Sequence, residues 1–289
     1  MTNEASEQLW VDPDVLKRID DALEEDIGTG DATSVALVPE AARVRAEIVA
    51  RDAVVVAGGG VASAIFRRVD EGIRCERRVD DGDRASADEV ILAAEGPARA
   101  ILTAERTALN FMQRMTGIAT MTARFVERAA PYGVAILDTR KTSPGLRPFE
   151  KYAVRCGGGA NHRMGLFDRV LIKDNHRRLW RAAGTLAEAV NAAREAFPNL
   201  PVEVEVETIA DLRDVLRASP EWVLLDNMPA ATMVEAVRVR ADTPTRLEAS
   251  GGITLDTIEE AAGSGVDAIS LGCLTHSAPA ADLSLELAL

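Results

Sequence analysis

An α/β fold centred on an incomplete or irregular (β/α) barrel is predicted for this 289-residue chain, on three observations. After Pro131, short Val/Ile/Leu-rich stretches recur at 134–137, 170–172, 202–206, 222–225, 247–249 and 268–271, each followed by a helical or loop segment. Repeated β-then-α units imply a parallel sheet. Polar or glycine residues stand directly past these stretches: Asp138-Thr139-Arg140-Lys141, Lys173-Asp174-Asn175, Asp226-Asn227, Ser250-Gly251-Gly252 and Gly272. In a (β/α) barrel such strand ends share one mouth, where the chemistry is placed. Six strands fall short of the eight of a closed barrel, so irregularity is expected, with residues 156–159 as a candidate further short strand.

The first half reads differently. Asp12-Pro13 followed by apolar Val15, Leu16, Ile19 and Leu23 predicts a capped amphipathic helix ending near Gly28. Residues 43–57 and 73–94 hold β-branched runs broken by Asp and Gly, while 60–69 and 97–127 have helical spacing. Gly58-Gly59-Gly60 reads as a turn. A mixed α/β layer is expected over residues 1–117, with the barrel over 118–289.

With 47% apolar and 27% charged residues the chain can bury a sizeable core. No stretch approaches the roughly 18 apolar residues of a membrane helix. The first ten residues carry two Glu and neither a basic cluster nor an apolar run, so no secretory signal is predicted and the cytoplasm is the expected compartment. Cys75, Cys156 and Cys273, odd in number and far apart, are expected to be reduced thiols.

A net charge of -13 argues against nucleic acid or an anionic membrane as partner, because both demand clustered positive charge. Yet between Asp138 and Arg181 eleven basic residues face only four acidic ones. Such an island suits a multiply charged anion, or is a solvated basic face. The chain has four Lys against 29 Arg, and Lys141, Lys151 and Lys173 fall inside the island. A compact ammonium approaches a single phosphate or carboxylate oxygen in a way the Arg fork does not. The acidic excess elsewhere, poor in Lys, is read as adaptation to a high-salt (halophilic) setting, where salt screens surface repulsion.

In the 201–207 stretch, Glu203, Glu205 and Glu207 alternate with Val202, Val204 and Val206. Valines packed under helices would turn the three acids inward, where they need Lys, Arg or a divalent cation as partner. Glu205 and Asp226 together suit magnesium, which takes one or two carboxylates plus substrate phosphates. An exposed edge strand with a charged face is the alternative. Ser250-Gly251-Gly252 before a helix expected near Leu255 offers amides for phosphate, or is an ordinary tight loop. His162 and His176 lack the spacing of a zinc site.

Asp138-Thr139-Arg140-Lys141-Thr142 with Pro144-Gly145-Leu146-Arg147 resembles the DTRKT-x-PG-x-R stretch of the quinolinate phosphoribosyltransferase family. Glu25-Asp26-Ile27-Gly28, Glu105-Arg106, Asn161-His162-Arg163, Lys173-Asp174-Asn175-His176, Glu203 to Glu207, Leu225-Asp226-Asn227, Ser250 to Ile253 and Gly272 to Ser277 follow the family pattern in order, from about residue 12 onward. The resemblance implies an N-terminal α/β sandwich domain ahead of the barrel, with the extreme C-terminus packing back on that domain. It implies transfer of phosphoribosyl from phosphoribosyl pyrophosphate to quinolinate with decarboxylation, giving nicotinate mononucleotide, carbon dioxide and pyrophosphate, with Mg2+ as cofactor. By the same resemblance Arg106, Arg140, Arg163 and Lys173 grip acceptor carboxylates or donor phosphates with His162 beside them, Lys141 meets the donor's 5-phosphate or pyrophosphate end, and Thr142 is a further substrate-binding residue. Glu205 and Asp226 hold magnesium and ribose hydroxyls, and Ser250, Gly251, Gly252 and Gly272 bind phosphate. Lys141, Lys173, Glu205 and Asp226 are the expected catalytic set. A homodimer or an assembly of dimers is implied, with Arg106 reaching the neighbour's site. A related transferase with another acceptor, such as the molybdenum-transport-associated type, and a non-catalytic phosphosugar or oxyanion binder are the alternatives.

Overall fold

The computed structural model describes residues 9–180 and 182–288; Arg181, counted in the basic island, and the first eight residues lie outside them. By its contacts the chain forms two compact units. One takes the described residues up to Ala123, Ser143–Gly158 and the stretch from Ser277; the other takes Arg124–Thr142 and Gly159–His276.

In the first unit, α1 (Pro13–Ile27) starts where expected. The Asp12 carboxylate accepts the Asp14 and Val15 amides at 2.8 and 3.4 Å, Pro13 costs no hydrogen bond at the first helical position, and Val15, Ile19 and Leu23 form the buried face. Asp31 caps α2 (Ala32–Leu37) in the same way. There follow β1 (Arg43–Ala50), β2 (Val54–Val55), α3 (Gly59–Val69), β3 (Arg74–Arg77), β4 (Arg84–Ala85), β5 (Val90–Pro97) and the long α4 (Ala98–Ala129). The triple glycine is a helix start rather than a free turn. Gly58 caps α3 with φ +100°, and a Cβ on Gly60 would lie 1.8 Å from the Trp10 indole nitrogen, so the indole's close approach requires glycine.

In the second unit the strands are β6 (Ala135–Leu137), then, after α5 (Arg147–Cys156) of the first unit, β7 (Val170–Ile172). Next come α6 (Asp174–Trp180), α7 (Leu186–Ala196), β8 (Val202–Val206), α8 (Ile209–Val215), β9 (Trp222–Asp226), α9 (Ala230–Arg240), β10 (Arg246–Ser250), α10 (Ile258–Ala262), β11 (Ala268–Ser270) and α11 (Cys273–His276). All six strands run parallel in the order β6-β11-β10-β9-β8-β7. The sheet is therefore an open, irregular barrel whose edges are β6 and β7. Residues 156–159 are not a strand: α5 ends at Cys156, and the pairing comes one residue later, as a single parallel bridge from Ala160 to Leu137. Val202, Val204 and Val206 are fully buried, and Glu203 and Glu205 are buried on the other face. Glu207 lies past the strand end and is exposed, which corrects the expectation of three inward acids to two.

The chain then returns to the first unit. β12 (Leu283–Ala288) pairs antiparallel with β1, from Ala50 opposite Leu283 to Arg45 opposite Ala288, completing a sheet of order β12-β1-β5-β3. Gln113 of α4 donates to the Leu283 carbonyl at 2.8 Å, and Arg114 donates to the Ala278 carbonyl at 3.0 Å. The same guanidinium pairs with Glu150 of α5 at 2.9 Å, a carboxylate with no solvent exposure. Gly117 is the point of tightest contact, since a Cβ there would meet the Pro279 carbonyl oxygen at 1.9 Å. Gly117→Ala should cost about 1–3 kcal/mol, the range for forcing extra volume into packed structure. Urea unfolding measures it; a variant as stable as the parent would show that the 277–280 stretch yields without penalty.

Candidate active site

The C-terminal ends of the second unit's strands surround a pocket of about 830 Å³. Beyond β6, Arg140 and Lys141 reach it; the loop after the Ala160 bridge brings His162 and Arg163; β7 ends in Lys173; β8 and β9 bring Glu205 and Asp226. Ser250, Gly251 and Gly252 beyond β10 and Gly272 beyond β11 complete the ring. Eleven of the thirteen predicted residues thus share one cavity. Thr142 does not line it, and Arg106 is an exposed residue of α4 in the first unit.

Two loops meet through one buried carboxylate. Asp138, at the end of β6, accepts the His162 amide at 2.8 Å on Oδ1 and the Asn161 side-chain amide at 2.7 Å on Oδ2. It therefore ties the Arg140-Lys141 segment to the segment carrying Arg163. Burial lowers the Arg163 pKa, and the charge of Arg140 lowers it further. Two cations pressed together with little water form a site that an anion relieves.

Glu205, nearly buried, accepts the Lys173 ammonium at 3.0 Å and the Asp174 amide at 3.4 Å. Burial and then the charge of Glu205 raise the Asp226 pKa, while Asn227 donates to its carboxylate at 2.9 Å. These oxygens form a hard donor set with more negative charge than Lys173 alone offsets, which fits magnesium.

The glycines after β10 do not cap a helix. The expected helix near Leu255 begins at Ile258, so no helix start lies beside them. Gly251 and Gly252 adopt φ of +95° and +64°, and a Cβ on Gly251 would sit 2.2 Å from the Asn227 side-chain oxygen. At Gly272 a Cβ would meet the Lys141 side chain at 2.8 Å, so glycine there makes room for that ammonium's stem. The Lys141 carbonyl is held by the Thr275 hydroxyl at 2.8 Å.

A further cluster, which sequence reasoning missed, lies at the base of the strands. His162, Glu203 and Glu248 are buried, with ligand atoms within 4.8 Å of one another, close enough to converge on a metal ion. His162 Nε2 lies 3.0 Å from Glu203 and 3.4 Å from Glu248. Arg169 already places its guanidinium there, 3.0 Å from Glu203 and 3.3 Å from Nε2, and the imidazole is a donor magnesium disfavours. Magnesium thus fits Glu205 and Asp226 better. Burial pushes the Glu248 carboxyl up and Glu203 adds to the rise; burial acts likewise on Glu203, but His162 and Arg169 hold it below the ordinary value. Spacing could not reveal the cluster, because its members come from three separate chain segments; the inward phase of Glu203 was the one visible signal.

Residues 118–286 match the family model for the quinolinate phosphoribosyl transferase C-terminal domain, and residues 31–116 match that for the N-terminal domain. The chain belongs to this family. It is 44% identical over 279 residues to the nicotinate-nucleotide pyrophosphorylase [carboxylating] of Mycobacterium leprae, covering 95% of this chain and 96% of that one. It is also 44% identical over 268 residues to the probable enzyme of that name from Bacillus subtilis, covering 92% and 90%. The solved nicotinate-nucleotide pyrophosphorylase of Francisella tularensis superposes with a TM-score of 0.89 at 37% identity, covering 96% of this chain and 98% of that one. Family membership makes the chain a phosphoribosyltransferase. Among the described residues no helix is long and apolar enough to cross a membrane.

The raised Asp226 pKa gives a stability prediction with a definite sign. A carboxyl whose folded pKa lies above its unfolded value favours folding most below the ordinary Asp range of about 3.9, and loses that contribution as pH rises through the folded value. Without ligands, Asp226→Asn should therefore melt higher than the parent at neutral pH, with the difference closing toward pH 4 and below. Melting curves at both pH values test this; an equal or lower melting temperature at neutral pH would show that the carboxylate is not strained.

Proposed function

We propose that this chain joins quinolinate to phosphoribosyl pyrophosphate and releases nicotinate mononucleotide, carbon dioxide and pyrophosphate. What carries the reading is the convergence of Arg140, Lys141, Arg163 and Lys173 with Glu205 and Asp226 on one pocket, in a member of this family. Both proposed substrates are polyanions, and the pocket concentrates cations within a chain of charge -13. Arg140 and Arg163 pair with acceptor carboxylates through planar forks, and Lys173 adds a point charge. Lys141 meets a donor phosphate. Gly251 and Gly252, in left-handed backbone at the pocket edge, offer amides to the phosphate end. As the ribose carbon loses pyrophosphate it becomes cation-like, and the fixed carboxylates of Glu205 and Asp226 stabilise it. Magnesium held by these two residues would neutralise the leaving group's charge. Loss of carbon dioxide leaves an electron pair on the ring carbon beside the positively charged nitrogen, which takes a proton from water, so the protein need only hold and desolvate that carboxylate.

The working form in this reading is a twofold homodimer in the cytoplasm, with Arg106 acting in the partner's site. The support is that Arg106 is exposed and absent from the pocket its expected companions line.

Incubation with phosphoribosyl pyrophosphate, magnesium and either quinolinate or nicotinate, followed by identification of the nucleotide, tests the reaction. Nicotinate mononucleotide and carbon dioxide from quinolinate are expected. Turnover of nicotinate alone would point to the other acceptor class, and turnover of neither to an anion binder. Asp226→Asn should lose most turnover yet keep quinolinate affinity by calorimetry. For the shared site, inactive Arg106→Ala and Lys141→Ala subunits are mixed under exchange. Random pairing in a twofold dimer restores about a quarter of the sites; parental activity despite exchange seen by mass spectrometry would place Arg106 in its own chain's site.

A further inference from the structure

Both ring nitrogens of His162 are engaged by the protein. The Arg163 backbone amide donates to Nδ1 at 2.7 Å, and Nε2 faces Glu203 at 3.0 Å and Glu248 at 3.4 Å. A flipped ring would turn carbons toward the amide and toward Glu203, so both contacts define the same orientation. Burial opposes a charge on this imidazole, while the two carboxylates favour one and pull its pKa up to about 9. The amide contact outweighs that pull, because an imidazolium has a hydrogen on Nδ1 and no lone pair to accept Arg163 N–H. The ring therefore carries its one hydrogen on Nε2, directed at Glu203, and Arg169 donates to the same oxygen at 3.0 Å.

Arg163 depends on this arrangement. Among the described residues its guanidinium has one hydrogen bond, a long 3.4 Å contact to the Arg169 carbonyl, and it faces the like charge of Arg140. The charges of Glu203 and Asp168 oppose that repulsion, but no close hydrogen bond fixes the tip, so its aim depends on how the backbone end is held. There the amide is fastened to His162, the His162 amide to Asp138, and the imidazole to Glu203. Arg169 extends the support: its guanidinium lies 5.6 Å from the Trp222 ring centroid, with Arg246 at 5.3 Å from the same ring.

We infer that His162 is a positioning residue, which suspends from Glu203 and aims Arg163 into the anion pocket, rather than a ligand or proton carrier of the substrate. The inference rests on the proposed acceptor chemistry for its kinetic consequences, but not for its geometry. Glu203 and Glu248 become the anchor of that device, and the charge of Arg169 offsets the cost of burying it.

Two measurements test it. The chain has three histidines, so the ring-nitrogen signals of His162 in 15N-histidine-labelled protein are identified as those lost in His162→Asn. A neutral ring protonated on Nε2 is expected at pH 7, unchanged when quinolinate is added. A doubly protonated ring, or one whose protonation switches with quinolinate, overturns the inference, whatever reaction the enzyme catalyses. The second measurement is a double-mutant cycle on KM and kcat for quinolinate. His162→Gln cannot accept the Arg163 amide in the same place and should raise KM about tenfold with kcat little changed. His162→Asn, whose side-chain oxygen takes the place of Nδ1, should recover most of the loss. Because His162 acts through Arg163, His162→Gln with Arg163→Met should be no worse than Arg163→Met alone. Losses that multiply, or a kcat that falls with an altered pH profile in both His162 variants, refute it. Parent protein inactive on quinolinate would sink the proposed reaction and leave the ring-nitrogen result as the deciding one.

Discussion

Charge held where water is scarce is the constraint that organises the catalytic unit. The charge of Arg140 disfavours that of Arg163, and a chain free to relax would separate them. The structure instead spends buried carboxylates on holding them: Asp138 clamps the two loops together, and Glu203 anchors His162 beneath. A buried carboxylate held in this way contributes little net stability, because desolvation offsets most of what its hydrogen bonds gain. What it provides is a fixed geometry, ready for an anion before the anion arrives.

The carboxylates of the barrel strands divide their labour by depth. Glu203 and Glu248 sit low in the sheet, out of solvent, and face His162 and Arg169. Glu205 and Asp226 stand at strand ends, where Lys173 balances them only in part. Residues two apart on β8 therefore do different work. One supports the cation-lined wall, and the other, in the proposed reaction, faces the sugar carbon on which positive charge develops.

Much of this was legible in the chain. The parallel strand pattern after Pro131 is local, since a run of valines and isoleucines flanked by turn residues reports its own conformation. Asp12 and Gly28 marked the ends of α1 because caps act on neighbouring amides. The pocket residues announced themselves as polar groups past strand ends, and the order of the motifs carried the family. Predictions that depended on distant partners fared less well. Glu207 had the right phase but lies beyond the strand, Ala160 and not residues 156–159 makes the extra bridge, and the glycines after β10 adjoin a loop rather than a helix.

The strand and helix alternation and the basic island can be read from the chain alone, because each is written in contiguous residues. Which charged groups meet, and in what state, is set by the fold. Glu248 is 86 residues from His162 in the chain, yet its carboxylate lies 3.4 Å from the ring, and no local pattern specifies that approach. The inferred hydrogen on one nitrogen of His162, and with it the direction of Arg163, follows from the Arg163 backbone amide and carboxylates on two strands. Hydrogen bonds and Coulomb forces act on distance in space, and the fold alone sets that distance.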